Sequence, residues 1–435
     1  MGRGRALAGA VLSLWVGACS TMPVWFPTSG GVGPAGGARA EVGPAPWMRA
    51  VDRLVGQRPM SIAVVVNGTR VYGHLTGVRR APASNEKLLL SMAALARLGP
   101  GYRIPTEARV RGRVRGGVVR SDLFLVGHGD PETGADDIQR LALRLRDAGV
   151  IGIDGSVVGD TSGFVRDRQA PGWHPIASHY IGLPTALSYE ANVDAGGFVF
   201  DPERRAAISL TAELRSLGIF VAGAPRASPA PAPDQLRTVA AVRSSPLADI
   251  LRRQNVASLN LDAETLSKLL ATEVRGEPGS IADGAAVIEA WATHRGVDAT
   301  LHDASGLSYR DRVSAGALAG LLDQARHRPW GAALAASLAA PGEGTLGGRL
   351  DGAPVRAKTG TLIGDVSALS GYVRLHDGRW ASFSILSALP KDEAVALEDA
   401  IVRAVAASAC PAHASVGVRD VTPCAGRIPE RCSRT

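Results

Sequence analysis

From Pro46 onward the apolar positions follow two periods. Residues 61–66 (SIAVVV) form an unbroken apolar run of strand length. Asn67-Gly68 behind it is a hairpin signal, and residues 70–75 read as the returning strand. Leu88, Leu89, Met92, Leu95 and Leu98 then recur at helical spacing, which predicts a helix over 84–98 bracketed by Pro82 and Gly99-Pro100. Between 105 and 240 the pattern shortens. Two β-like pieces, VVRSDLFLVG and GIDGSVVGD, flank one amphipathic helix over 136–148, and the stretch closes in a Pro/Ala loop at 224–235. Helical patterns return at 246–254, 261–270, 281–294 and 314–326. Three strand patterns follow at 355–363, 367–375 and 380–388, with Asp377-Gly378 turning the second into the third. A last helix is predicted over 393–407.

This order predicts an α+β fold. Strands from both ends of the chain share one antiparallel sheet flanked by helices, and a large, mostly β domain is inserted. The expected segments are 1–45, an export signal and flexible tether; 46–104, the first part of the main domain; 105–240, the insertion; 241–408, the second part; and 409–435, a Cys-containing tail.

The first 45 residues support export. Arg3 and Arg5 precede an apolar stretch from Ala6 to Val16, of secretory length and short for a membrane span. Val16-Gly17-Ala18-Cys19 resembles a bacterial lipobox, making Cys19 a lipidation candidate and the membrane surface a partner through an N-terminal anchor; an ordinary cleavage region or an uncleaved anchor is the alternative. Residues 20–45 are rich in Gly, Pro and Ala, as a tether is. Cys410, Cys424 and Cys432 lack the paired spacing of a zinc site. One disulfide among them leaves a thiol over, and the sequence leaves the pairing open.

The net charge of +8 comes from scattered Arg without interleaved aromatics, so a basic solvated surface is the reading and nucleic acid is not an expected partner. Of 48 basic residues only four are Lys: Lys87, Lys268, Lys358 and Lys391. Lys87 follows Ser84 by three positions, on the same helical face. A Ser hydroxyl needs a base within reach, and Lys can lose its proton where Arg cannot. Two further motifs support this chemistry. Ser258-Leu259-Asn260 is the sole Ser-x-Asn, and Lys358-Thr359-Gly360 is the sole Lys-Thr-Gly, placed on a strand pattern. No His-Glu-x-x-His, Gly-x-Ser-x-Gly, P-loop or dinucleotide fingerprint occurs, so no metal and no cofactor is expected.

Ser-x-x-Lys, Ser-x-Asn and Lys-Thr-Gly, in that order, form the signature of penicillin-binding proteins and serine β-lactamases. The chain resembles in particular the D-alanyl-D-alanine carboxypeptidase/endopeptidase family, the class C low-molecular-mass penicillin-binding proteins. The matching stretches include PASNEKLL, GHGDPET, GDTSGF, ALSYEAN, SLNLDAE, DASGLSYRDRVS, GTLGGRL and RAKTGTL, across residues 60 to 390. The resemblance implies a transpeptidase-like fold shared with β-lactamases, and a serine peptidase that cuts D-Ala-D-Ala in peptidoglycan stem peptides through an acyl-enzyme. It also implies β-lactams as inhibitors. Carboxypeptidase and endopeptidase action both remain open. A β-lactamase or esterase on the same fold, or a non-catalytic envelope-binding protein, are the alternatives.

Carried over residue by residue, the resemblance makes Ser84 the nucleophile and Lys87 its base. Keeping Lys87 neutral means lowering a pKa of about 10.4 by burial and by the second cation, Lys358. Ser258, held by Lys87 and Lys358, relays a proton to the leaving amine, and Asn260 orients Lys87 and the substrate amide. Lys358 and Thr359 receive the substrate carboxylate, and Gly360 lies between them and Thr361, whose N–H joins that of Ser84 around the oxyanion. Leu259 stands where the family often has Asp. Outside the motifs, residues 303–308 border the cleft or merely turn the chain. Trp173 is read as a packing residue, and Asp160 as a turn cap with a basic stem peptide as its rarer alternative.

Overall fold

The computed structural model describes residues 45–407. Cys19, Cys410, Cys424 and Cys432, and with them the anchor and disulfide readings, lie outside the described residues.

The central sheet joins the two ends of the described chain. Helix α1 (Pro46–Val55) leads into strands β1 (Met60–Val66) and β2 (Thr69–His74) and then helix α2 (Glu86–Leu98). Strands β3 (Pro105–Arg111), β4 (Leu123–Gly127), β5 (Val157–Asp160), β6 (Arg226–Ser228) and β7 (Leu236–Arg243) form a separate sheet. Helices α3 (Ala135–Asp147) and α4 (Pro202–Ser216) pack in the same region. After α5 (Leu247–Ala257), α6 (Asn260–Arg275), α7 (Ile281–Thr293), α8 (Ala315–Arg326) and α9 (Gly331–Ser337) come strands β8 (Val355–Leu362), β9 (Val366–Arg374) and β10 (Trp380–Ser387). Helix α10 (Lys391–Ala406) closes the described chain.

The central order is β8-β9-β10-β1-β2, antiparallel throughout. The apolar run of β1 is buried along its whole length because helices cover both faces of the sheet. Its alternate residues divide between two cores. Ala63 and Val65 pack with Leu88, Leu89 and Met92 of α2 and Leu318 and Leu322 of α8. Met60, Ile62, Val64 and Val66 pack with Val51 and Val55 of α1 and Ile401, Val402 and Val405 of α10. Each such fully buried side chain contributes roughly 1.5–3 kcal/mol.

The second sheet has the order β6-β5-β4-β3-β7, parallel across its first three strands and antiparallel across the rest. Its core is its own. Leu123 and Leu125 meet Ile138, Leu141 and Leu145 of α3 and Leu210 and Leu214 of α4. The sequence pattern predicts α3 but not α4, whose PERRAAISLTAELRS keeps its apolar stripe in small Ala and scattered Leu between Arg and Glu. Helices α1 and α9 are likewise additions to the sequence reading. Among the described residues, no helix is long and apolar enough to cross a membrane.

Candidate active site

Ser84 sits in a short 3-10 turn (Ala83–Asn85) that runs straight into α2, one turn before Lys87. The turn is tightly enclosed. Ala83 takes a left-handed φ of 47°. Gly306 (φ 78°) lies so close that a Cβ there would fall 1.9 Å from the Ala83 carbonyl. On the sheet side, a Cβ on Gly360 would meet Pro82 O at 2.8 Å and Ser84 N at 3.1 Å. The two glycines thus let β8 and the 303–308 loop close on the serine from opposite sides. Asn85, fully buried, ties the turn to the sheet. With its amide oriented to accept from Ser370 Oγ (2.7 Å), its nitrogen donates to the Lys358 carbonyl at 2.7 Å.

The Lys87 amine lies 3.1 Å from Ser84 Oγ, 2.8 Å from Asn260 Oδ1 and 2.5 Å from the Ser305 carbonyl. Asn260 opens α6 two residues after Ser258, which caps α5 in the left-handed region (φ 58°). Ser258 Oγ receives a hydrogen bond from Lys358 Nζ at 2.8 Å, and Lys358 also donates to Thr359 O at 2.8 Å. All three motifs therefore share one site. Ser258 is held by Lys358 alone, whereas the sequence reading expects both lysines to hold it.

Strand β8 is the sheet edge. Its N–H groups alternate between β9 and the outside, and Ala357 N points outward to Ala339 O (2.9 Å). Thr359 and Thr361, two and four residues on, turn their N–H groups toward the same outer edge. Thr361 is exposed there and Thr359 is buried at the margin.

Burial pushes the Lys87 pKa down to about 8, while the carboxylates of Asp303, Glu264 and Asp262 pull it back up. Lys358 is held well below the usual lysine range, by burial first and by Lys87 second. The sequence reading gives Lys358 a share in lowering Lys87. In the structure burial is the leading cause for both amines, and their mutual repulsion adds to it at Lys358.

Behind Lys87 lies a group of buried carboxyls. Glu86, Asp303 and Asp311 offer oxygens within 4.8 Å of one another. Burial raises the pKa of each, and repulsion from Asp303 adds to it at Glu86 and Asp311. Neither Glu86 oxygen receives a donor, and Asp311 Oδ2 is also without one. Glu86 therefore keeps its proton and donates it to Asp311, the arrangement that relieves both orphaned groups. Asp303 accepts from Gly306 N (2.7 Å), Ser308 N (2.9 Å) and the Trp173 indole. The 303–308 loop thus borders the cleft. Trp173 anchors that loop, and Asp160 accepts from Ser162 and Ala230 as a turn cap.

Sequence reasoning gives no role to Asn85, Glu264, Asp303 or the Ser305 carbonyl. All lie inside the motif stretches, so the signal was position next to a functional residue, not residue type. Lys268 is a different case. Its buried amine donates to Val165 O (2.9 Å) and Pro184 O (3.1 Å) and pairs with Asp167 (2.5 Å), binding the segment that leaves the second sheet to α6.

A family model described as D-Ala-D-Ala carboxypeptidase 3 (S13) matches residues 52–198 and 182–408. The chain belongs to that family. It is an enzyme, a serine hydrolase of the D-Ala-D-Ala carboxypeptidase kind. It is 30% identical to a D-alanyl-D-alanine carboxypeptidase of Actinomadura sp. (strain R39) over 409 residues, covering 74% of this chain and 75% of that protein. It is 31% identical to a carboxypeptidase of Mycobacterium tuberculosis over 371 residues, covering 78% and 77%. Among solved structures, penicillin binding protein 4 from Haemophilus influenzae superimposes with a TM-score of 0.72 at 20% identity, over 82% of this chain and 99% of that one. That likeness establishes the fold. The S13 family membership accounts for the spacing of the three motifs, with the second sheet placed between the first and the second.

Proposed function

We propose that the chain removes or cuts at D-Ala-D-Ala in peptidoglycan stem peptides through an ester on Ser84, and that β-lactams trap the same ester. One observation carries the reading: the buried Lys87 amine stands 3.1 Å from Ser84 Oγ between the acceptors Asn260 Oδ1 and Ser305 O, where burial pushes its pKa down to about 8. Roughly a tenth of it is then neutral at pH 7. Neutral Lys87 takes the Ser84 proton as Oγ attacks the carbonyl carbon. The developing oxyanion meets the N–H groups of Ser84 and Thr361, each typically worth about 3 kcal/mol. The C–N bond breaks, and the leaving amine takes a proton relayed through Ser258. The substrate's terminal carboxylate docks at Lys358 and Thr359 along the β8 edge, where its charge favours the protonated form of Lys358. Water then hydrolyses the ester.

The inserted segment 105–240 acts as a support in this reading. Its loop after β5 reaches the site through the Trp173 indole and through the Tyr180 carbonyl, which accepts from Asn260 Nδ2 at 3.1 Å, and its Val165 and Pro184 carbonyls hold Lys268 of α6. Work on peptidoglycan puts the enzyme outside the cytoplasmic membrane, and the lipobox-like Val16-Gly17-Ala18-Cys19 supports an anchor there through Cys19.

Incubation with a D-Ala-D-Ala peptide is expected to release free D-Ala, and with cross-linked fragments it separates the two peptidase actions. The base must be neutral, so the acylation rate by a labelled β-lactam should rise with pH and level off above about pH 8. A rate still climbing beyond about pH 10 would show an ordinary lysine and remove the basis of the mechanism.

A further inference from the structure

We propose that Glu264 is a positioning residue for the proton-accepting amine: through the Ser305 carbonyl it keeps the Lys87 lone pair on Ser84, an inference that rests on the acylation chemistry above.

A neutral amine has two N–H bonds and one lone pair. Lys87 has three partners. The Ser305 carbonyl, at 2.5 Å, can only accept. Asn260 presents its oxygen, at 2.8 Å, because its nitrogen is engaged with Tyr180 O. These two acceptors take both N–H bonds. The lone pair is left for the third partner, the hydroxyl of Ser84 at 3.1 Å. The direction of proton transfer is thus set by where two oxygens stand.

Helix α6 fixes both. Asn260 supplies one directly. Glu264, one turn further along the same face, supplies the other at one remove. Its side chain is fully buried, and Oε1 accepts from Ala304 N (3.0 Å) and Ser305 N (2.7 Å). Those two bonds fix the backbone that leads into Ser305, while Asp303, accepting from Gly306 N and Ser308 N, holds the Ser305–Gly306 peptide plane whose carbonyl faces Lys87. Without an acceptor at 264, two buried N–H groups lose their partner and the loop must move to satisfy them.

Charge supplies a second, separable effect. Lys87 faces Asp303, Glu264, Glu86, Asp262 and the amine of Lys358. Glu264 in turn faces Asp303, Glu86, Lys87 and Lys268. Glu264 is one of the carboxyls that raise the Lys87 pKa, so its neutralisation lowers that pKa.

The test measures acylation by a labelled β-lactam against concentration and pH, for wild type, Glu264→Ala and Glu264→Gln. The Ala variant is expected to lose on the order of a hundredfold in limiting acylation rate, with the half-saturating concentration within about threefold of wild type. The Gln variant keeps an oxygen for the two N–H groups. It should stay within about tenfold of wild type, with its acid limb displaced downward by about half a pH unit or more. A wild-type limiting rate in the Ala variant overturns the proposal. So does a reduced labelled fraction in both variants whose remaining enzyme keeps the wild-type rate and limb, since that describes a purely structural residue. Where the Ala variant does not fold, the pH limb of the Gln variant decides alone. Absence of labelling in wild type at every pH would instead strike down the acylation chemistry itself.

Discussion

Lys87→Arg is expected to lower β-lactam acylation by a factor of about 10³ or more while leaving the charge in place. The guanidinium stays protonated throughout the accessible pH range and so has no lone pair for the Ser84 proton. Its hydrogens would still satisfy Asn260 Oδ1 and the Ser305 carbonyl, so the surrounding polar groups remain partnered. Lys87 is fully buried and guanidinium is the bulkier group, so Lys87→Gln serves as a smaller control. Circular dichroism and the thermal midpoint report whether each variant folds. Robust labelling of a folded Arg variant would exclude Lys87 as the base.

Gly360→Ala is expected to lower acylation on the order of a hundredfold with a smaller loss of stability. The added methyl would sit 2.8 Å from Pro82 O and 3.1 Å from both Ala83 Cβ and Ser84 N. These contacts are with backbone and a short side chain, so relief comes from pushing β8 off the nucleophile turn. The N–H groups of Ser84 and Thr361 then separate, and an oxyanion can no longer reach both. Stopped-flow labelling measures the rate, and denaturant unfolding measures the stability. A wild-type rate in a folded variant would show that the close approach of β8 to Ser84 has no part in the reaction.

The elements most legible in the sequence were those whose environment is uniform along their length. The apolar run at 61–66 reads as a strand because both faces of β1 are covered, and the helical leucines of α2 lie on the same core. The three motifs were readable because each needs particular residue types. The supports behind them were not. Glu86, Glu264, Asp303 and Asp311 look like solvated charges in a sequence, and their burial is decided by segments far away in the chain. Helix α4 was hidden by Ala and Arg in place of a bold apolar stripe. The scarcity of Lys also proved a broader signal than proton transfer. Lys268 occupies a site where a compact ammonium meets three acceptors at once, which a planar guanidinium fits poorly. Three of the four lysines, Lys87, Lys268 and Lys358, are buried amines, and only the partners of each reveal which one handles a proton.

The pairing of Met60 with Ser387 has a kinetic consequence. The strand beside the sheet's first hairpin waits for the end of the folded chain, so loop closure is long and contact order high, which slows folding. Lys358 arrives on the same late hairpin as its neighbours in the sheet. A chain still emerging from synthesis or export therefore carries Ser84 without its complement, and competence comes as a last, all-at-once event rather than by degrees.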